Sequence, residues 1–139
     1  MVGPSHIIGV GLDIVEVARV ERAVRRWGDR FVTRVFTAGE VAYCRGRPSE
    51  SLSFAARFAA KEAGMKALGT GRDHEVRWTD LEVVRLAAAP ELILRGEAAE
   101  IARRLGVSRA WLTLSHTRTL AVAHVILEGP GAETPRSAS

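Results

Sequence analysis

The chain has 139 residues, a size that fits one domain with a substantial hydrophobic core. Hydrophobic residues at 47% and charged residues at 26% are ordinary for a globular protein, while a net charge of +4 favours acidic or phosphate-bearing partners. The apolar runs Ile7–Leu12 and Leu120–Leu127 fall short of the ~20 residues of a membrane helix, and the opening MVGPSH lacks the features of a secretory signal. The single cysteine, Cys44, excludes an internal disulfide and fits a reducing cytoplasm.

Residues Ile7–Asp13 read as a strand, with Ile8, Val10 and Leu12 on one face and Ile7, Gly9, Gly11 and Asp13 on the other. The glycines strip the Asp13 face, either to admit a ligand or to let a neighbouring element pack closely. A helix over Val15–Arg30 follows, with Val17, Val20, Val24, Trp27 and Phe31 on one side. Arg19, Arg22, Arg26 and Arg30 gather on the other, as a solvated face or a docking surface for an acidic partner. Thr37-Ala-Gly-Glu40 has the capping-box pattern and starts a short helix to Arg45. After a loop, a long helix spans Leu52–Leu68 and stops at Gly69. Strands follow near Thr79–Leu86, Glu91–Leu94, Ala110–Ser115 and Leu120–Leu127, with a helix over Glu97–Leu105 among them. The last strand is apolar on both faces, which places it at the centre of its sheet. The expected fold is an α+β domain over residues 1–128, a mainly antiparallel sheet packed with two long helices. Residues 129–139 form a Pro/Gly/Ser-rich flexible tail.

Lys61 and Lys66 are the only lysines among the 20 basic residues, and both lie in the long helix. Arg57–Lys61 and Glu62–Lys66 are each four apart, and the second by itself describes a surface ion pair of a few tenths of a kcal/mol. Phe54, Phe58 and Met65 read as a core stripe. His116 shares a strand face with Leu112 and Leu114, as a satisfied core histidine or a phosphate ligand at a strand end. No Ser-His-acid pattern supports a hydrolase, and one cysteine with scattered His6, His74 and His124 argues against zinc. Gly9-Val-Gly11 lacks the third glycine of a dinucleotide fingerprint, and no Gly-Lys-Ser/Thr loop occurs. Asp13, Glu62, two lysines, Arg57 and His116 remain. Two carboxylates suit Mg²⁺ that takes its other ligands from phosphate and water, and the basic groups suit phosphoryl transfer. Spacing alone does not bring Asp13 and Glu62 together.

Four pieces occur in one order: Ile8-Gly-Val-Gly-Leu-Asp-Ile14, Phe54-Ala-Ala-Arg-Phe-Ala-Ala-Lys-Glu-Ala63, Lys66-Ala-Leu-Gly-Thr-Gly71 and Leu114-Ser-His-Thr117. Together, from about Ile7 to Glu128, the chain resembles the holo-acyl-carrier-protein synthases, the small single-domain phosphopantetheinyl transferases. The resemblance implies transfer of the phosphopantetheine arm of coenzyme A to a serine of an acidic acyl carrier protein. It places that reaction in cytoplasmic fatty acid biosynthesis, with 3′,5′-ADP released. Asp13, Glu62 and Lys66 match the catalytic set, with Asp13 and Glu62 on Mg²⁺ and Lys66 at the diphosphate. Arg57 and His116 match contacts to coenzyme A phosphates. Lys61, Gly69, Thr70 and Gly71 match the motif as further cofactor positions, although Gly69–Gly71 is first a helix stop. The serine proton would pass to Glu62, directly or through a water. Arg19, Arg22 and Arg26 become carrier-docking candidates, and the family forms homotrimers with coenzyme A sites between subunits.

Two departures stand out. Ala88-Ala89-Pro90 replaces a Gly-Lys/Arg-Pro hairpin, and Gly64-Met65 replaces a bulkier pair, at up to ~1 kcal/mol in helix stability and with a wider site as one consequence. The rival readings are the same chemistry on polyketide or peptide synthase carriers, and a catalytically silent coenzyme A-binding or basic interaction module. No nucleic-acid motif occurs.

Overall fold

The computed structural model describes residues 3–70, 75–86 and 89–132. Strand β1 (His6–Glu16) runs into helices α1 (Val17–Trp27) and α2 (Asp29–Val35). The single helix expected over Val15–Arg30 is thus broken. Gly28 stands between the two at φ 56° and ψ −135°, a backbone state that glycine adopts without a steric penalty. Its N–H closes α1 on the Val24 carbonyl at 2.8 Å, and the turn lets Val32 and Val35 enter the core. Helix α3 (Ala38–Arg45) has the expected capping box. Thr37 Oγ1 accepts from Glu40 N at 3.2 Å, and Glu40 Oε1 accepts from Thr37 N at 2.9 Å.

One long helix, not two, organises the domain: α4 (Glu50–Leu68). Strands β2 (Leu81–Leu86) and β3 (Ala89–Leu94) form a hairpin, after a 3-10 turn at Trp78–Asp80 that takes the residues expected to open the strand. Arg85 pairs with Pro90 and Leu86 with Ala89, so the hairpin forms with its altered sequence; Ala88 lies outside the described residues, as does His74. Helix α5 (Gly96–Leu105), β4 (Arg109–His116) and β5 (Leu120–Gly129) complete the chain. The three-stranded antiparallel sheet has the order β1-β5-β4, with β5 central as expected. The boundary expected at residue 128 falls inside β5; residues 133–139 of the expected tail lie outside the described residues.

Small residues let α4 lie directly on the sheet. A Cβ on Gly11 would stand 1.8 Å from the Ala63 carbonyl oxygen, and one on Gly9 would stand 2.1 Å from that of Ala67. Close helix packing, not ligand access, is therefore why this face of β1 is bare. Ala121 and Ala123 of β5 and Ala59, Ala60 and Ala63 of α4 are all fully buried. Gly64 makes room on the hairpin side, since a Cβ there would meet Leu81 Cδ2 at 2.5 Å. It admits a core leucine rather than widening a site. Aromatic rings close the remaining side of α4, with Phe36 against Phe54 at 4.8 Å and Phe58 stacked on Trp78 at 5.1 Å.

The opposite sheet face is uncovered. A bulge between Ile7 and Gly9 breaks the alternation, so Ile8 packs against the core while Val10, Leu12 and Ile14 point outward. Leu12 is 54% exposed. Val10 pairs with Ile126 and Ile14 with Val122, and Trp111 lies opposite Ile126 from the other edge. The result is a largely apolar patch on an open sheet face, crossed at its middle by His124 and Thr113, which lie in one row with Leu12.

Candidate active site

The close seating of α4 on β1 brings together residues more than fifty positions apart. Lys66 Nζ donates to Asp13 Oδ1 at 2.9 Å and to the Leu12 carbonyl at 3.1 Å. The Asp13 hydrogen bond raises the Lys66 pKa above its ordinary value, and the charge of Glu62, one helical turn earlier, adds to the rise. One ammonium therefore answers to both predicted carboxylates. Asp13 is mostly covered while Lys66 reaches solvent, with side-chain exposures of 15% and 54%. Among the described residues no three His, Cys, Asp or Glu side chains cluster. Two carboxylates beside solvent instead fit a divalent cation completed by substrate phosphate and water.

A second set of predicted residues meets elsewhere. A cleft of about 700 Å³ lies among α3, α4, the β2–β3 hairpin and β4, and Arg57, Tyr43, Arg47, Arg85 and His116 line it. Arg57 is only 5% exposed, and its guanidinium lies over the Tyr43 ring at 3.9 Å. Its buried Nε has no hydrogen-bond partner. A buried guanidinium with an unused donor, in a cleft rich in arginine, is built to receive an anion. His116 extends the face of Leu112 and Leu114 into this cleft, as its alternation predicts. Asp13, Glu62 and Lys66 do not line it. The predicted residues thus fall in two groups, one around Lys66 and one in the cleft.

Comparison with known proteins decides the family. The profile of the 4′-phosphopantetheinyl transferase superfamily matches residues 9–123. The chain belongs to that superfamily. It is 50% identical over 123 residues to a holo-[acyl-carrier-protein] synthase of Solibacter usitatus, covering 88% of this chain and 98% of the relative. To the synthase of Anaeromyxobacter dehalogenans it is 54% identical over 128 residues, 90% of this chain and 98% of that one. The crystal structure of the Neisseria meningitidis synthase aligns with a TM-score of 0.80 at 30% identity, covering 88% and 98% of the two chains. That of the Helicobacter pylori synthase in complex with coenzyme A aligns at 0.75 and 30%, covering 85% and 98%.

In this phosphopantetheinyl transferase the two lysines have different surroundings. Lys61, expected among the cofactor contacts, is completely buried. Its ammonium pairs with Glu40 Oε1 at 2.6 Å and donates to the carbonyls of Trp78, at 3.1 Å, and Leu81. Burial lowers its pKa and Glu40 opposes the drop. An ammonium has three hydrogens, and these three acceptors use them, so Lys61 has none for a phosphate. Thr70 is likewise buried, with its hydroxyl donating to the Met65 carbonyl at 3.2 Å. Gly69 caps α4 in the left-handed region. Both act as the helix stop; Gly71 lies outside the described residues. No residue pattern marks Tyr43 as the platform under Arg57, and Glu40 is legible only as half of a capping box.

The transferase presents Arg19, Arg22 and Arg26 on the exposed side of α1. Arg22, Arg25 and Arg26 line a shallow groove beside Trp27, and Arg26 lies over the Trp27 ring at 4.9 Å. Arg25 is held by Glu21 at 2.8 Å. Trp27, placed by periodicity on the same side as Val17 and Val20, is half-exposed because α1 ends there. Arg30, read as part of the same helix face, belongs to α2 and lines a second groove with Trp27, Phe31 and Arg34.

Proposed function

We propose that this chain transfers the 4′-phosphopantetheine group of coenzyme A to a serine of an apo acyl carrier protein, releasing 3′,5′-ADP. The observation that carries the reading is Lys66 on Asp13 with Glu62 one turn away, in a chain 50% identical to a holo-[acyl-carrier-protein] synthase. The serine Oγ bonds to the phosphorus that bears pantetheine, and the bond from that phosphorus to the bridging oxygen of the diphosphate breaks. The serine proton goes to Glu62, and the Lys66 ammonium offsets the charge left on the departing phosphate. Arg57 and His116 hold the remaining phosphate of coenzyme A. Asp13 and Glu62 would hold Mg²⁺, which would offset the charge of the diphosphate oxygens.

The protein works as a homotrimer with its sites between subunits. Two observations support this reading: the uncovered apolar face around Leu12, and the division of phosphate-binding residues into two half-sites that one chain does not join. The carrier is acidic and docks on Arg19, Arg22 and Arg26, supported by the exposure of all three and by the groove that Arg22 and Arg26 line beside Trp27. The reaction belongs to cytoplasmic fatty acid biosynthesis, and a lone buried thiol agrees with a reducing compartment.

The test is incubation of the purified protein with coenzyme A, Mg²⁺ and apo acyl carrier protein, followed by intact mass. The carrier gains one phosphopantetheine arm. Absence of that gain across fatty acid, polyketide and peptide synthase carriers overturns the reading.

A further inference from the structure

Phosphate chemistry leaves Lys61 and Glu40 without a task, although both are charged and essentially fully buried. Their pair is the hub of a wider set of contacts. Lys61 reaches Glu40 Oε1 at 2.6 Å and the carbonyls of Trp78 and Leu81. Glu40 also accepts from the backbone of Thr37 at 2.9 Å and of Val83 at 2.9 Å. One ion pair thereby ties the start of α3, the middle of α4, the 3-10 turn and β2.

Stability is a weak reason for such a pair. Removing two charges from water costs roughly what their attraction returns, and apolar residues of similar volume often serve as well. A fixed distance and direction is what a buried, fully hydrogen-bonded pair supplies and an apolar contact does not. Helix α4 needs that. Toward β1 it presents only small residues, with Ala63 and Ala67 over Gly11 and Gly9, and its larger buried apolar side chains, Phe54 and Leu68, stand toward its two ends. Small surfaces approach closely but offer shallow ridges to resist rotation about the helix axis. Side chains extend to a radius of about 5–6 Å, so a 15° turn moves their ends by about 1.5 Å. A misplacement of about 1 Å can cost on the order of 100-fold in rate. Arg57 lies one turn before Lys61 on the same stripe, and Glu62 follows it directly, about 100° around the helix.

We propose that the Lys61–Glu40 pair is a positioning device that sets the axial rotation of α4, and through it the placement of Glu62 beside Asp13 and Lys66 and of Arg57 in the cleft. The catalytic consequence rests on the transferase reading; the geometric one does not.

The test compares wild type with Glu40→Gln/Lys61→Met, which removes both charges at similar volume. Thermal unfolding, calorimetric coenzyme A binding without metal, and kcat and KM for transfer are measured. The double variant leaves the Trp78 and Leu81 carbonyls without the Lys61 donor and lowers the melting temperature no further than Val32→Ala does, while coenzyme A affinity and kcat each fall about 10-fold or more. Val32→Ala, a core change in α2 away from both half-sites, is the stability control, with a lower melting temperature and unchanged kcat and KM. Wild-type kinetics in the double variant, or losses that Val32→Ala reproduces, overturn the proposal. Glu40→Asp retains the charge and withdraws the carboxylate by one methylene; it carries the same expectation and the same refutation where the double variant does not fold. A crystal structure of the folded variant shows α4 turned against β1, and an unturned helix also overturns the proposal. A wild-type protein that transfers nothing overturns the function reading instead and leaves this structural comparison standing.

Discussion

Lys66 donates to Asp13 at 2.9 Å, joining the last turn of α4 to the first strand across 53 positions of sequence. The contact exists because Gly9 and Gly11 bring the two backbones together. Lys66 is half-exposed, so the pair contributes only about 0.2–1 kcal/mol to stability. Asp13→Ala and Glu62→Ala therefore keep melting temperatures within a few degrees of wild type and lose roughly 100-fold or more in transfer rate. Thermal unfolding and mass-resolved initial rates check both halves. Near-normal rates at limiting Mg²⁺ would remove the carboxylates from the metal site.

The seating of α4 is itself testable at Gly11. A methyl group there meets a backbone carbonyl, which has no rotamer through which to yield. Gly11→Ala destabilises the protein by roughly 3 kcal/mol, read from denaturant unfolding. A change below about 0.5 kcal/mol, the ordinary range for a surface substitution, would show that α4 stands farther from β1.

The uncovered sheet face should lie at an interface. Leu12→Glu places a charge between Val10 and Ile14 on the outward face of β1 without touching the α4 side of the sheet. Light scattering on wild type reports a trimer, and on the variant a monomer that remains folded and has lost transfer. A monomeric and active wild-type protein contradicts the shared-site arrangement.

Docking through α1 predicts a separation of substrates. Arg22→Glu and Arg26→Glu raise KM for the carrier about 10-fold or more and flatten its salt dependence. Coenzyme A binding, measured by calorimetry, stays as in wild type. Equal effects on both substrates would mean that α1 acts through the fold rather than by contact.

Cys44 is fully buried, and burial pushes its pKa from the ordinary 9.0 up to about 11. Its thiolate fraction at pH 8 is thus about 100-fold below that of an ordinary cysteine. A thiol reagent modifies the native protein at least that much more slowly than the urea-unfolded chain. The unfolded thiol ionises first as pH rises, so the stability of wild type relative to Cys44→Ala falls between pH 9 and about 11. Rapid native labelling at pH 8 would place Cys44 at the surface.

Local chemistry made much of this protein readable from its residues alone. The Thr37–Glu40 capping box, the stop at Gly69 and the apolar run of β5 each depend on neighbours a few positions away, and each stands where expected. The four motif pieces carried the family. Gly28 showed that a helix face can be read correctly and still be cut, because a glycine signals a break only once its φ is known. The two lysines mark the limit most clearly. They lie five residues apart in one helix, and helical spacing states the angle between them, not which side meets the core. Packing of β2 and α3 on one flank buried Lys61 against Glu40, while the edge of β1 left Lys66 beside Asp13 and open to water. A charged side chain becomes a structural tie or a ligand contact according to the dielectric and the partners around it, and those are supplied by residues distant in sequence.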